Sequence, residues 1–146
     1  MFGHIISKDG IKIDPERVEA IQKIHLPHNI KTLQSFLGNI NFLRRFIPNY
    51  AEIFKPIQTL LKKDVKFVWG NEGRKGFREI KDSIVKAPVL ISPDYSKEFL
   101  IFSFASEDTI AGVLLQKNNE RHEQPIAFMS RSLQGCELKY STMEKQ

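Results

Sequence analysis

The sequence predicts an α+β chain in which the helices come first and the strands last. Between residues 14 and 86 apolar side chains recur at three- and four-residue steps, the period of a helix, whereas after Pro88 they gather into short runs separated by turn residues. Charge divides at the same place: residues 1–88 hold 16 Lys and Arg against 9 Asp and Glu, and residues 89–146 hold 6 against 8.

Residues 2–13 read as a β-hairpin around Lys8-Asp9-Gly10, because Asp-Gly between apolar alternations favours a tight turn. Asp14 then caps a short helix with Pro15 at its first position; Val18, Ile21 and Ile24 give it a narrow apolar stripe, and Pro27 stops it. A longer helix is expected from Asn29 or Thr32 to about Ile47, with Leu33, Phe36, Leu37, Ile40, Leu43, Phe46 and Ile47 along one face. Full burial of such a side chain is worth about 1.5–3 kcal/mol, so this stripe reads as core. Lys31, Asn41, Arg44 and Arg45 fall on the opposite face.

A third helix covers about Tyr50 to Lys62, with Ile53, Phe54, Ile57, Leu60 and Leu61 inward. Lys66-Phe67-Val68-Trp69 reads as a short strand. A helix from Glu72 to about Lys86 follows, with Phe77, Ile80 and Ile84 inward and Gly73 and Gly76 weakening its first turn. Residues 87–94, bracketed by two prolines, look like an extended linker, with a domain boundary near Pro93. Three strand runs come next, Glu98–Phe104, Thr109–Gln116 and Pro125–Ser130, arranged as an antiparallel meander. The first is apolar on both faces, as a central strand would be. From Leu138 a further helix begins, and the chain ends before that helix is long enough to bury anything.

Several function classes are set aside by composition. No apolar run approaches the roughly 20 residues of a membrane span, so no membrane partner is expected. Met1–Gly10 lacks the pattern of a secretory signal, which points to an intracellular setting, cytoplasmic or nuclear. Cys136 is the single cysteine, which excludes an internal disulfide, and the four histidines show no metal-ligand spacing with it. The basic excess of the first half suits a polyanion-binding surface and suits solvated helix faces equally well.

Several stretches, in fixed order, resemble the reverse transcriptases of gypsy-type LTR retrotransposons and their retroviral relatives. Phe2-Gly3-His4-Ile5-Ile6-Ser7 with Gly10-Ile11 resembles the hairpin that grips the primer end. Leu33-Gln34-Ser35-Phe36-Leu37-Gly38 and Asn41-Phe42-Leu43-Arg44-Arg45-Phe46-Ile47 resemble the thumb helix, and Lys66–Trp69, Phe77, Lys81 and Ala87-Pro88-Val89-Leu90 continue the same landmarks. Ala105-Ser106, Val113-Leu114-Leu115-Gln116, Pro125-Ile126-Ala127 and Tyr140-Ser141-Thr142 resemble the start of the family's RNase H domain.

The resemblance implies an end of palm over 1–13, a thumb and linker over 14–93 and a truncated RNase H-like domain over 94–146. It implies contact with the template–primer, an RNA–DNA hybrid or DNA duplex, through Gly3, His4, Lys31, Gln34, Gly38, Asn41, Arg44 and Arg45. Gly38 fits either close approach of a duplex or a tight helix crossing. The remainder of a Pol polyprotein is the expected partner, with Mg²⁺ belonging to the intact parent and no cofactor to this segment. RNase H holds two metal ions through clustered carboxylates. Glu144 matches the second acidic position, but Phe104 stands where the first Asp is expected, so no complete catalytic set is present. Phe104 leaves two accounts, a decayed copy of a mobile element or a lineage that converted the domain into a non-catalytic connection, and the second is favoured because Phe104 continues a strand apolar on both faces, as packing would select. The alternatives are a residual metal-dependent RNase H completed by other chains, in which Glu107 or Asp108 substitutes, and a domesticated structural or binding protein.

Overall fold

The computed structural model describes residues 4–8 and 10–133. Strands β1 (His4–Ser7) and β2 (Gly10–Ile13) pair antiparallel, with Ser7 opposite Gly10 closing a tight turn. Gly10 has φ 133°, and a Cβ there would collide with the Leu90 carbonyl, so the position needs glycine on two counts.

Helix α1 (Pro15–Gln22) begins where Asp14 accepts a hydrogen bond from the Glu16 N–H, and helix α2 (Ile30–Ile40) where Asn29 accepts from the Thr32 N–H at 2.9 Å. The Asp14 cap lies where the sequence places it, and of the two expected starts of the second helix the structure takes Asn29. The expected single helix to Ile47 instead tightens, and Asn41–Phe46 forms a 3-10 helix. The cause is the spacing of the apolar residues. Ile40, Leu43 and Phe46 stand three apart and are all fully buried, and a helix of three residues per turn lines them up one above another.

Helix α3 (Tyr50–Gln58) continues as a 3-10 turn over Thr59–Leu61, and helix α4 (Asn71–Val85) crosses it closely. At the crossing a Cβ on Gly76 would stand 2.8 Å from the Ile53 carbonyl oxygen, so the glycine makes the approach possible as well as weakening the helix. The strand expected at Lys66–Trp69 does not form. Side chains hold this extended segment: the Trp69 indole donates to the Pro27 carbonyl at 2.7 Å, and its ring packs 5.8 Å from Phe77 and 6.0 Å from Phe67.

The expected linker is extended but not detached. Leu90 is fully buried and exchanges both backbone hydrogen bonds with Ile11, at 2.6 and 2.7 Å, while the Ile91 N–H donates to the Pro125 carbonyl. Just beyond, the buried Gln116 side chain accepts from the Asp94 N–H at 2.8 Å and donates to the Asp94 carbonyl at 2.7 Å, which fixes the entry to the sheet. The sheet is a meander of β3 (Leu100–Ala105), β4 (Thr109–Lys117) and β5 (Glu123–Ser132).

The order corrects one expectation. Among the described residues β4 is the central strand and β3 an edge, with Ile101 67%, Phe102 53% and Phe104 51% exposed. Apolar character on both faces does not place a strand centrally by itself. Pro125 cannot donate to a ladder, and the register slips beside it: Leu115 faces Pro125, Leu114 faces Ala127, and Ile126 bulges out.

Two glycine substitutions separate close packing from helix propensity. Gly76→Ala should destabilise the chain by about 1–3 kcal/mol through overpacking at the α3–α4 crossing. Gly38→Ala, where nothing lies within 4 Å of the added Cβ, should stabilise it by about 0.5–1 kcal/mol. Urea midpoints of the two variants, moving in opposite directions, provide the check.

Candidate nucleic-acid interface

Lys31, Gln34, Gly38 and Asn41 recur at helical spacing on α2 and the first residue of the 3-10 segment, and all are exposed. The same segment turns Leu33, Phe36 and Ile40 into the core, so burial of one face fixes the direction of the other. Gly38 has no neighbour within 4 Å of an added Cβ, which removes a helix crossing among the described residues as the reason for glycine. His4 opens β1 opposite Ile13, and Gly3 lies outside the described residues.

The adjacent arginines divide. Arg44 is exposed, with its guanidinium carbon 4.7 Å from the centre of the Tyr50 ring, a cation–π contact that restrains the side chain. Burial pushes the Tyr50 hydroxyl above its usual pKa, and the neighbouring Arg44 partly opposes this by favouring the phenolate. Arg45, about a third of a turn round, is half-buried, and its Nη2 donates to the Ile126 carbonyl at 3.2 Å. The β5 bulge exposes that carbonyl, so Arg45 ties the helical part to the sheet.

This tie belongs to a polar seam that sequence reasoning did not find. The Ala51 N–H, in the first turn of α3, donates to Ser130 Oγ at 2.8 Å, and the buried Thr109 hydroxyl donates to Glu52 Oε2 at 2.7 Å. Lys55 and Asp108 form an ion pair. Local patterns carry no signal for such contacts between residues more than fifty positions apart. Pro125 lies inside β5 (Glu123–Ser132) but opens the run expected from the sequence, where a proline is ordinary and does not by itself signal a bulge.

The family's metal centre does not fit the described residues. Phe104 pairs with Ala111 on the edge strand, and a phenyl ring offers no lone pair to a hard cation. Asp108 is engaged with Lys55, and among the described residues no three His, Cys, Asp or Glu side chains gather as a metal site. Glu144 lies outside the described residues.

Comparison with known proteins gives concordant results. Residues 69–146 match the RNase H-like domain found in reverse transcriptase. The chain is 39% identical over 146 residues to the retrovirus-related Pol polyprotein from transposon 297 of Drosophila melanogaster, covering 99% of this chain and 13% of that polyprotein. It is 33% identical over 145 residues to the transposon Tf2-3 polyprotein of Schizosaccharomyces pombe, covering 99% of this chain and 11% of that one. The chain thus spans a small part of the relatives it matches. Among solved structures it resembles the foamy viral protease-reverse transcriptase in complex with dsDNA, with a TM-score of 0.82 and 30% identity over 99% of this chain and 30% of that one. The same enzyme in complex with RNA/DNA hybrid gives a TM-score of 0.81 and 31% identity over 99% and 20%.

The Arg44–Tyr50 contact has a titration consequence. Tyr50 should ionise above the ordinary value of about 10, and Arg44→Gln should raise it further, as read by the ultraviolet difference titration of each protein against its Tyr50→Phe counterpart. Because the folded value is raised, the stabilisation is complete below the unfolded-state value and is lost as pH rises through the folded one. An Arg44→Gln shift to lower pH would contradict the contact.

Proposed function

We propose, from the premise that the chain belongs to the family of RNase H-like domains found in reverse transcriptase, that it is the segment of a retrotransposon Pol polyprotein that clamps the template–primer duplex. In this reading residues 1–13 end the palm, 14–93 form the thumb and its linker, and 94–146 begin an RNase H-like connection. The observation that carries it is the likeness of almost the whole chain, at TM-scores of 0.82 and 0.81, to a reverse transcriptase in complex with dsDNA and with RNA/DNA hybrid.

The exposed stripe supplies a physical basis. Lys31 and Arg44 suit backbone phosphates, Gln34 and Asn41 suit phosphate oxygens or minor-groove acceptors, and Gly38 lets the duplex approach the helix backbone. Recognition by phosphate and groove shape carries no base sequence, as copying any template requires. Arg45 contributes indirectly, by holding the sheet against the thumb. Gly3 and His4 would meet the primer end.

We place catalysis elsewhere in the parent polyprotein. The polymerase carboxylates would precede Met1, and Phe104 removes the first metal ligand from the nuclease site. Mg²⁺ would act in the intact enzyme, and the rest of the polyprotein is the partner within the cell.

Binding of a labelled RNA–DNA hybrid should weaken steeply between about 50 and 200 mM salt, since each neutralised phosphate adds about 0.9 to the slope of log K against log salt. Lys31→Ala with Arg44→Ala should lower that slope by about 2 without a change in sequence preference. Folded protein that does not bind at the lower salt would refute the reading.

A further inference from the structure

A groove of about 310 Å³ runs between the end of α1 and the outer face of α4. Leu26 and Phe77 make its floor apolar, and Arg74, Arg78, Lys81 and Asp82 line its α4 side. Helical spacing sets this arrangement, because Phe77 turns toward the core while Arg74, Arg78 and Asp82, at four-residue steps, stay exposed. The two walls are braced against each other. Lys81 Nζ donates to the Ile24 carbonyl at 2.8 Å, and Gln22 Nε2 donates to the Lys81 carbonyl at 3.3 Å. The Lys81 ammonium also lies 5.3 Å from the centre of the Phe77 ring, which holds its charge beside the floor. Elsewhere on α4, Lys75 pairs with Glu79 at 3.8 Å. Arg74 and Arg78 make no side-chain hydrogen bond or ion pair among the described residues, with Asp82 or any other.

Two unengaged guanidinium groups about 6 Å apart along the helix, beside an apolar floor, complement a peptide that carries carboxylates on either side of an apolar side chain. A nucleic-acid strand suits the groove less well. The floor offers no polar side chain to a sugar or phosphate, and the Asp82 carboxylate at the rim repels a phosphate. We propose that the α1–α4 groove docks an acidic segment of another polypeptide, with its apolar side chain on Leu26 and Phe77 and its carboxylates on Arg74 and Arg78. Exposed ion pairs contribute about 1 kcal/mol or less, so the apolar anchor sets where the segment sits and the arginines set its sign of charge. This surface is separate from the stripe on α2 and does not rest on the duplex-binding reading.

The test is fluorescence anisotropy of a labelled peptide, a central phenylalanine flanked on each side by two glutamates, titrated with the full chain. Arg74→Gln and Arg78→Gln should each weaken binding several-fold, and Asp82→Asn should tighten it by removing the opposing charge. Lys63→Gln, which removes an exposed cation outside the groove, should leave binding unchanged. The gain in Asp82→Asn is a result that misfolding cannot produce, so the proposal stays testable if an arginine variant fails to fold. A second peptide with alanine in place of the phenylalanine should bind several-fold more weakly. Equal binding of the two peptides, or the same loss in Lys63→Gln as in Arg74→Gln, would reduce the contact to diffuse charge attraction and overturn the proposal. A wild type that binds neither peptide would overturn it as well. A lower salt slope for the RNA–DNA hybrid in Arg74→Gln with Arg78→Gln would assign the groove to nucleic acid, with the same consequence.

Discussion

Between Ile40 and Ile47 the backbone leaves the α-helical pitch for three residues per turn, and both the core and the outer surface follow from that change. Ile40, Leu43 and Phe46 are 0%, 1% and 0% exposed, and burying each is worth about 1.5–3 kcal/mol as an upper estimate. That outweighs the poorer hydrogen-bond geometry of a 3-10 turn. The same pitch separates Arg44 from Arg45. One arginine goes to the outer stripe and the other to the sheet, although the sequence shows only a pair of like charges.

The sheet is joined to the helices by contacts of unequal weight. The Lys55–Asp108 pair is partly exposed, and pairs of that kind contribute about 1 kcal/mol or less. Arg45 to the Ile126 carbonyl and Ser130 to the Ala51 N–H matter more, because each meets a backbone group that the bulge or the helix start leaves without a ladder or helix partner. Leu90 adds an apolar anchor between them in sequence, paired with Ile11 on the hairpin. Prolines and a charge change make this stretch look like a hinge, yet its backbone hydrogen bonds run to the hairpin at Ile11 and to β5 at Pro125.

Local signals made much of the fold legible. The β1–β2 hairpin, the Asp14 cap, Pro15 at the helix start, and the meander all depend on residues near one another in sequence. The errors arose where distant residues decide. Lys66–Trp69 has the composition of a strand but meets aromatic side chains in place of a partner strand. Leu100–Ala105 has the composition of a central strand but pairs on one side only among the described residues. The outward direction of Lys31 and Asn41 follows from helical periodicity, whereas Gln34 and Gly38 enter the stripe through the family resemblance. The inward direction of Arg45 follows from neither, because it depends on a carbonyl 81 residues away.

The central claim is that the exposed face of α2 and the following 3-10 turn lies against a nucleic-acid duplex. The most direct measurement is the amide NMR spectrum of the isotope-labelled chain titrated with an RNA–DNA hybrid. The account predicts shifts concentrated at Lys31, Gln34, Gly38, Asn41 and Arg44, with the outer face of α4 unchanged. Shifts spread evenly over all exposed lysines and arginines, or confined to α4, would contradict it.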